Sequence, residues 1–136
     1  MFNFKTLTLL IVLGTISVFA FSGYLSANTQ ADGAKIVFAE LKYDFGKVTA
    51  DNTLEHKFIF TNEGSSKLII QSVNPSCGCT GATIGDKKEF DKGETGEIKV
   101  TFNTQGRSGV IEKTIMVTSN DPKNPQVTLS FTCEIN

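Results

Sequence analysis

The sequence of 136 residues has no tryptophan, three prolines, three cysteines and one histidine. Three cysteines are too few for a small scaffold that several disulfide bonds hold together. One histidine cannot supply a zinc site of the Cys/His type, and it allows no Ser-His-Asp or Cys-His triad unless it takes part itself. The fold must therefore depend on an ordinary hydrophobic core, and the composition points away from zinc- and triad-dependent enzymes.

Charged residues make up only 20% of the chain. The chain has 13 Lys and Arg against 14 Asp and Glu, a formal net charge of -1, and its basic residues form no run. Because nucleic-acid binding needs a concentrated positive surface, we expect no nucleic acid among the partners. The hydrophobic fraction of 40% and the 11 phenylalanines favour one folded domain over a disordered chain.

The longest uncharged hydrophobic run lies near the N-terminus. Lys5 precedes the segment Leu7 to Phe21, which is shorter than the roughly 20 residues of a membrane-spanning helix and is followed by small residues. This pattern is typical of a secretory signal peptide, which we assign to residues 1–27, ahead of a short linker at 28–34. An uncleaved N-terminal anchor is the alternative.

Both interpretations predict export to the periplasm, the cell envelope or the extracellular space. Cleavage after Ala20, after Ala27 or in the region up to Ala31 would each follow a small residue. No cysteine ends the hydrophobic segment, so a lipid anchor is not expected. A membrane is expected as a partner only if the segment stays uncleaved.

From residue 35 to residue 136 the sequence predicts an immunoglobulin-like antiparallel β-sandwich of about seven strands. Short runs of β-branched and aromatic residues are separated by Gly, Asn, Asp, Pro and Ser, and no helical period is present. The predicted strands are 35–40, 43–48, 53–62, 67–74, 80–84, 96–103, 110–118 and 125–135, of which the first two can form one kinked strand.

Alternating hydrophobic residues predict which side of each strand is buried. Strands 67–74 and 110–118 alternate less cleanly than the others, so we interpret them as central strands with both faces covered. The predicted core residues are Phe58, Phe60, Ile98, Val100, Phe102, Leu129 and Phe131. The stretches interpreted as hairpin turns are 62–66, 91–94, 105–109 and 119–125.

Three stretches together resemble a known family: Tyr43 to Val48 (YDFGKV), Asn74 to Thr80 (NPSCGCT) and Ser119 to Pro125 (SNDPKNP). Over Phe38 to Asn136 the chain is similar to domain of unknown function 1573. The resemblance implies a bacterial, exported, immunoglobulin-like sandwich related to the Hydin and major-sperm-protein type of domain, and it implies no established activity. The Cys-Gly-Cys-Thr stretch is the most specific of the three.

Cys77 and Cys79 lie in a predicted loop with only Gly78 between them. In an oxidising compartment the first expectation is a structural disulfide bond, either between these two or from one of them to Cys133. Thiol-disulfide exchange is an alternative, because a bridge across one residue closes a small ring and strained bridges are easily reduced. However, no helix follows to activate a thiol. A soft-metal site that adds Met116 or His56 to the two thiolates is the third interpretation.

Three other features are predicted to be structural. Cys133 lies on the hydrophobic face of the last strand, which predicts a buried free thiol. His56 alternates with hydrophobic neighbours on the inward face of its strand, which predicts a core or edge histidine. The acidic residues between 86 and 97 lack the spacing of a calcium-binding loop, so we expect a solvated surface there.

The sequence therefore predicts an exported, non-catalytic immunoglobulin-like module, either structural or binding an unidentified protein or cell-envelope component, with no cofactor. Exposed strand edges would allow binding by strand addition. The alternative function is thiol-disulfide exchange or soft-metal binding at Cys77-Gly78-Cys79, with Cys77 and Cys79 as the redox pair or as the metal ligands.

Overall fold

The computed structural model describes residues 33–136, so the predicted signal peptide and most of the predicted linker lie outside the described residues. The described chain forms nine strands and no helix. Accordingly, no helix in this range is long and apolar enough to cross a membrane. The strands are β1 (Ile36–Phe38), β2 (Lys42–Val48), β3 (Thr53–Asn62), β4 (Leu68–Pro75), β5 (Thr80–Thr83), β6 (Glu89–Phe90), β7 (Thr95–Asn103), β8 (Gly109–Ser119) and β9 (Gln126–Ile135).

The strands form two sheets packed face to face, which confirms the predicted immunoglobulin-like β-sandwich. One sheet has the order β1-β3-β7-β5 and the other has the order β2-β9-β8-β4-β6. Neighbouring strands are antiparallel except β2 and β9, which are parallel. β5 and β6 are therefore edge strands at one side of the sandwich, and β1 and β2 are edge strands at the other.

The strand count differs from about seven for two local reasons. The first two predicted strands are not one kinked strand, because β1 pairs with β3 in one sheet and β2 pairs with β9 in the other. The chain changes sheets between them, where Ala39 N–H donates to Ile59 C=O and Ser130 N–H donates to Leu41 C=O. The two-residue strand β6 was not predicted, because it is too short to show an alternating pattern.

Only one of the four predicted hairpin turns joins neighbouring strands of one sheet. The segment 119–125 connects the antiparallel pair β8 and β9. The segments at 62–66, 91–94 and 105–109 instead carry the chain from one sheet to the other. The prediction of hairpins was wrong there, because Gly, Asn and Asp reverse the chain equally well within a sheet and between sheets.

The core lies between the two sheets and confirms every predicted core residue. The buried hydrophobic side chains include Phe58, Phe60, Ile98, Val100, Phe102, Leu129 and Phe131. Phe102 from the four-stranded sheet contacts Phe131 from the other sheet, with ring centroids 5.3 Å apart. Aromatic contacts across the interior therefore join the sheets at their centre.

Strand β8 is central in the five-stranded sheet, whereas β4 pairs with β6 only at Leu68 and Ile69 and is an edge over the rest of its length. Only one face of each strand is covered. Ile115 and Val117 are buried, whereas Ile69, Val110 and Met116 are exposed on the outer face. The expectation of two covered faces was therefore wrong. The hydrophobic residues that obscured the alternation face solvent.

A buried asparagine organises the crossing from β3 to β4. Asn62 is fully buried, and its side-chain amide donates to the carbonyl groups of Ser66 and Phe90 at 2.8 and 2.9 Å. Its carbonyl oxygen accepts from Gly64 N–H at 3.0 Å. Packing extends into the predicted linker at this point, because Ala34 is buried and the backbone of Gly33 to Lys35 leaves no room for a Cβ atom at Gly64.

A buried carboxylate holds the loop between β8 and β9. Asp121 is 1% exposed, and its oxygens accept from the backbone N–H groups of Lys123, Asn124 and Ile36 at 2.8, 3.0 and 3.0 Å. Burial acts to raise the pKa of Asp121, but these three hydrogen bonds outweigh it, so the pKa lies below its ordinary value. The carboxylate thus fixes a turn and the first strand together.

We predict that Phe102→Ala lowers the free energy of unfolding by about 3 to 5 kcal/mol, because it leaves a cavity between the two sheets. Denaturant unfolding of the domain gives the measurement. Val110→Ala is the control, since Val110 is 77% exposed and its truncation should change stability by less than about 0.5 kcal/mol. An unchanged unfolding midpoint for Phe102→Ala would contradict the assignment of the core.

We also predict that Asp121 makes stability depend on acid pH. Its pKa is lowered in the folded state, so its stabilisation is complete above the ordinary Asp pKa of about 3.9 and is lost as the pH falls through and below that value. Asp121→Asn should be less stable at pH 7, and its difference from the parent should narrow below about pH 4. Asp86→Asn, at an exposed loop position, should show neither effect.

Candidate functional site at the Cys77–Cys79 loop

The loop that contains Cys77 and Cys79 connects β4 in one sheet to β5 in the other. Ser76 fastens its first half to β8, because Ser76 N–H donates to Thr114 C=O at 2.9 Å and the Ser76 hydroxyl accepts from Thr114 N–H at 3.3 Å. Thr80 begins β5 opposite Phe102 of β7, and its N–H donates to Cys77 C=O at 3.2 Å. The loop is thus held at both ends by strands of different sheets.

Cys77 and Cys79 form a disulfide bond with each other, with Cα atoms 5.3 Å apart. The bridge to Cys133 that the sequence left open is not formed, and Cys133 is a buried free thiol as predicted. Burial, and secondarily the charge of Asp44, raise the pKa of the Cys133 thiol. Cys133 therefore stays protonated and packs as a small hydrophobic residue.

The two bonded cysteines differ in their surroundings. Both are partly exposed and Gly78 between them is exposed. Cys79 packs against the hydrophobic core, whereas Cys77 is not part of that packing. Of the two bonded residues, Cys79 is therefore the one that the interior holds in place.

One buried hydroxyl contacts the disulfide bond. Thr80 is 3% exposed, and its Oγ1 lies 3.6 Å from Cys77 Sγ and 3.9 Å from Cys79 Sγ. Disulfide sulfurs carry no hydrogen, so the hydroxyl must be the donor in both contacts. Thr80 was not predicted as a site residue, although it follows Cys79 in the most specific of the three stretches.

The side chains considered for a soft-metal site do not gather at the loop. His56 pairs with Val100 across one side of β7, while β5, which follows the loop, lies on the other side of that strand. Met116 lies on β8 opposite Asn74 and faces solvent. Among residues 33–136, no three His, Cys, Asp or Glu side chains are placed together so that they could hold a metal ion.

His56 lies instead in an aromatic cluster that connects the two sheets. Its ring stacks on Tyr43 of β2 with centroids 3.6 Å apart, and it meets the edges of Phe45 and Phe58. Its Nε2 donates to Glu40 Oε1 at 2.7 Å. This confirms the prediction of an inward-facing histidine with a satisfied hydrogen bond.

The acidic stretch between residues 86 and 97 lies on the surface, as predicted, and forms ion pairs there. Glu89 and Asp91 pair with Lys67, and Glu97 pairs with Lys57 at 2.9 Å. These groups are exposed, so solvent screens each pair and the pairs contribute little to stability. The stretch is a solvated surface rather than a cation site.

A groove of about 210 Å³ lies beside the loop, between the edges of β4 and β5. Its walls are Ile70 to Val73 on one side and Ala82 to Ile84 on the other, with Lys88 as its one charged side chain. Ile70 N–H donates to Lys88 C=O at 2.9 Å, and beyond Ile70 the side of β4 away from β8 has no partner strand. The side of β5 away from β7 has none either. The sequence could not reveal this groove, because it depends on the order of strands in both sheets.

Solved structures with similar folds come from bacteria and animals. A protein of unknown function from Porphyromonas gingivalis W83 is 21% identical with a TM-score of 0.68, and the match covers 82% of this chain and 51% of that one. This chain therefore spans about half the length of the P. gingivalis protein. At this identity the likeness establishes the fold alone.

Two further structures match along almost their whole length. The ASH/PapD-like domain 7 of human CEP192 is 12% identical with a TM-score of 0.59, and the match covers 86% of this chain and 96% of that one. SSP-19, an MSP-domain protein of Caenorhabditis elegans, is 10% identical with a TM-score of 0.51, covering 68% and 94%. At these identities both likenesses show the same kind of fold as the one that the resemblance implied, and no more.

No curated protein matches the chain. A family model does match, over residues 36–135, which includes all nine strands and the Cys77–Cys79 loop. This range agrees with the resemblance found in the sequence. The chain therefore belongs to the family described as protein of unknown function DUF1573.

Proposed function

We propose that the protein is an exported, non-catalytic binding module that recognises an extended polypeptide segment of a secreted or cell-envelope protein. The observation that supports this most directly is the groove between β4 and β5, where the edge of β4 beyond Ile70 and the edge of β5 face each other without a partner strand. An extended segment can add to such an edge as a further strand, because the edge offers unused backbone donors and acceptors.

The backbone of β5 indicates where the added strand would pair. Thr80 N–H donates to Cys77 C=O, which is not in the partner strand β7, so Thr80 and Phe102 form a pair that does not exchange hydrogen bonds. Such pairs alternate with hydrogen-bonded ones in an antiparallel ladder. Ala82, two residues further on, therefore directs its N–H and C=O away from β7 and towards the groove.

The groove favours a particular kind of segment. Its walls combine aliphatic residues such as Ile70 and Ile84 with small polar ones such as Ser72 and Thr83. Lys88 brings a positive charge and no acidic residue lines the groove. An extended segment with small hydrophobic side chains and an acidic residue near Lys88 therefore fits best.

Two observations support export. The uncharged segment Leu7 to Phe21 has the length of a signal-peptide core rather than of a membrane span. The disulfide bond between Cys77 and Cys79 belongs to an oxidising compartment, since thiols stay reduced in the cytosol. The periplasm, the cell envelope and the extracellular space all satisfy this condition.

We predict that peptides selected from a random phage-displayed library bind as an added strand at β5. Hydrogen exchange of residues 33–136 with a selected synthetic peptide should slow at the amide of Ala82, because that N–H becomes hydrogen-bonded. Ala82→Pro removes this donor and should abolish binding of the same peptide. Met116→Ala, on the exposed outer face of β8, should bind it unchanged.

Protection at a different surface, with β4 and β5 unaffected, would reject strand addition in this groove. Circular dichroism checks that Ala82→Pro is folded. If that variant is unfolded, the exchange pattern of the parent protein decides the question alone.

A second candidate function is thiol-disulfide exchange, and one observation favours it. The Cys77–Cys79 bond lies in a loop where both cysteines are partly exposed and Gly78 between them is exposed. Function concentrates in such loops, which rigid strands hold in place. In this function the loop would oxidise or rearrange thiols of exported proteins.

We predict that Cys79→Ser leaves Cys77 able to hold a substrate as a mixed disulfide, because the thiol that would release the substrate is missing. The variant is incubated with a peptide that carries a disulfide bond, so that the Cys77 thiolate attacks one peptide sulfur and the other leaves as a thiolate. Non-reducing gel electrophoresis followed by mass spectrometry measures the adduct. Cys77→Ser/Cys79→Ser is the control and should form none. If Cys79→Ser forms no adduct, and the double variant loses stability but keeps peptide binding, the bond is a structural one.

A further inference from the structure

The hydroxyl group of Thr80 has unusual partners for a buried polar atom. Its only hydrogen-bond contacts in the described structure are to the two sulfurs of the disulfide bond, at 3.6 and 3.9 Å. A buried hydroxyl normally donates to oxygen or nitrogen, and sulfur in a disulfide bond is a weak acceptor. The Thr80 hydroxyl therefore gains little hydrogen-bond energy while the disulfide bond is intact.

The same position becomes favourable when the bond opens. A thiolate carries a full negative charge, and hydrogen bonds to charged groups are roughly twice as strong as those between neutral groups. Thr80 is fixed in β5 by its pairing with Phe102 and its N–H bond to Cys77 C=O, so the hydroxyl needs no large rearrangement to donate to that charge.

We propose that the Thr80 hydroxyl holds Cys77 as a thiolate when the Cys77–Cys79 bond is opened, which makes Cys77 the sulfur that exchanges with substrate thiols. Cys77 Sγ is the nearer of the two sulfurs to Thr80 Oγ1, and Cys79 packs against the core. Cys79 is then the resolving cysteine. This inference rests on the second candidate function proposed above.

The exchange balances with a reduced protein dithiol as the co-reactant. A substrate thiolate attacks Cys77 Sγ, the bond between Cys77 and Cys79 breaks, and its electron pair stays on Cys79. The second substrate thiolate then attacks the substrate sulfur of the mixed disulfide, and the electron pair of that bond leaves on Cys77 Sγ, beside the Thr80 hydroxyl. The substrate loses two electrons and two protons and becomes a disulfide, and the protein becomes the dithiol.

The test titrates thiolate formation in the reduced protein by its ultraviolet absorbance at 240 nm, with alkylation and mass spectrometry to identify the reacting cysteine. Thr80→Val keeps the β-branched shape but removes the hydroxyl, and it should raise the pH midpoint for Cys77 by about one unit, about a tenfold loss of thiolate at neutral pH. Thr80→Ser keeps the hydroxyl and should restore the midpoint. Thr83→Val, the same change at an exposed position of β5, should leave it unchanged.

Equal midpoints for the parent and a folded Thr80→Val would overturn the proposal, and so would faster alkylation of Cys79 than of Cys77 in the parent. The second comparison needs no variant, so it decides the matter even if Thr80→Val does not fold. Oxidation of a dithiol peptide is measured separately. If the protein oxidises the peptide but Thr80→Val does not shift the midpoint of Cys77, this inference is rejected and the exchange function is kept. If Thr80→Val shifts the midpoint but the protein does not oxidise the peptide, the role of Thr80 is kept and the exchange function is rejected.

Discussion

The carboxylate of Asp121 sits where three parts of the chain meet, and the arrangement of both sheets at this end follows from it. Its oxygens accept from Lys123 and Asn124, which closes the turn from β8 to β9, and from Ile36, which begins β1 in the opposite sheet. Asn120 adds a connection to β4, because its side-chain carbonyl accepts from Ile69 N–H at 2.7 Å. Two adjacent residues of one loop thus position strands of both sheets.

The opposite arrangement holds beside the Cys77–Cys79 loop. There the last hydrogen bond on the outer side of β4 runs from Ile70 N–H to Lys88 C=O, and β5 pairs with β7 alone, so the two edges face each other across a groove. The disulfide loop joins these same two strands and limits how far they can separate. The proposed binding groove and the proposed redox bond are therefore neighbours in one short stretch of chain, from Ile70 to Lys88.

The core could be predicted because buried and exposed residues alternate along the sequence of each strand. Ile98, Phe102 and Phe131 each alternate with polar residues, and burial follows directly from the two-residue period of a strand. The order of the strands within each sheet produces no such pattern in the sequence. The Gly and Asn residues at 62–66 mark a reversal of the chain but not whether it stays in its sheet, and Ile69 and Met116 are as hydrophobic as core residues although they face solvent.

For the site, the cysteines were visible in the sequence and their surroundings were not. The Cys-Gly-Cys stretch marks a candidate site in the sequence. Whether Cys77 bonds to Cys79 or to Cys133 depends on how the loop crosses between the sheets. The role of Thr80 depends on the same path, since its hydroxyl reaches both sulfurs only because the loop turns back over β5. His56 lies on the opposite side of β7 from β5 and the disulfide loop, and this too depends on the order of the strands.

Because β2 and β9 pair in parallel, the resistance of the domain to a pulling force depends on the direction of the force. Lys42 lies beside Ser130 and Val48 lies beside Ile135, so the start of β2 and the end of β9 are at opposite ends of the pair. A pull on the chain ahead of β2 and on the chain after β9 would slide the two strands past each other. The hydrogen bonds between them would then share the load instead of opening one at a time, and the sandwich would resist stretching along that axis more than peeling from the side.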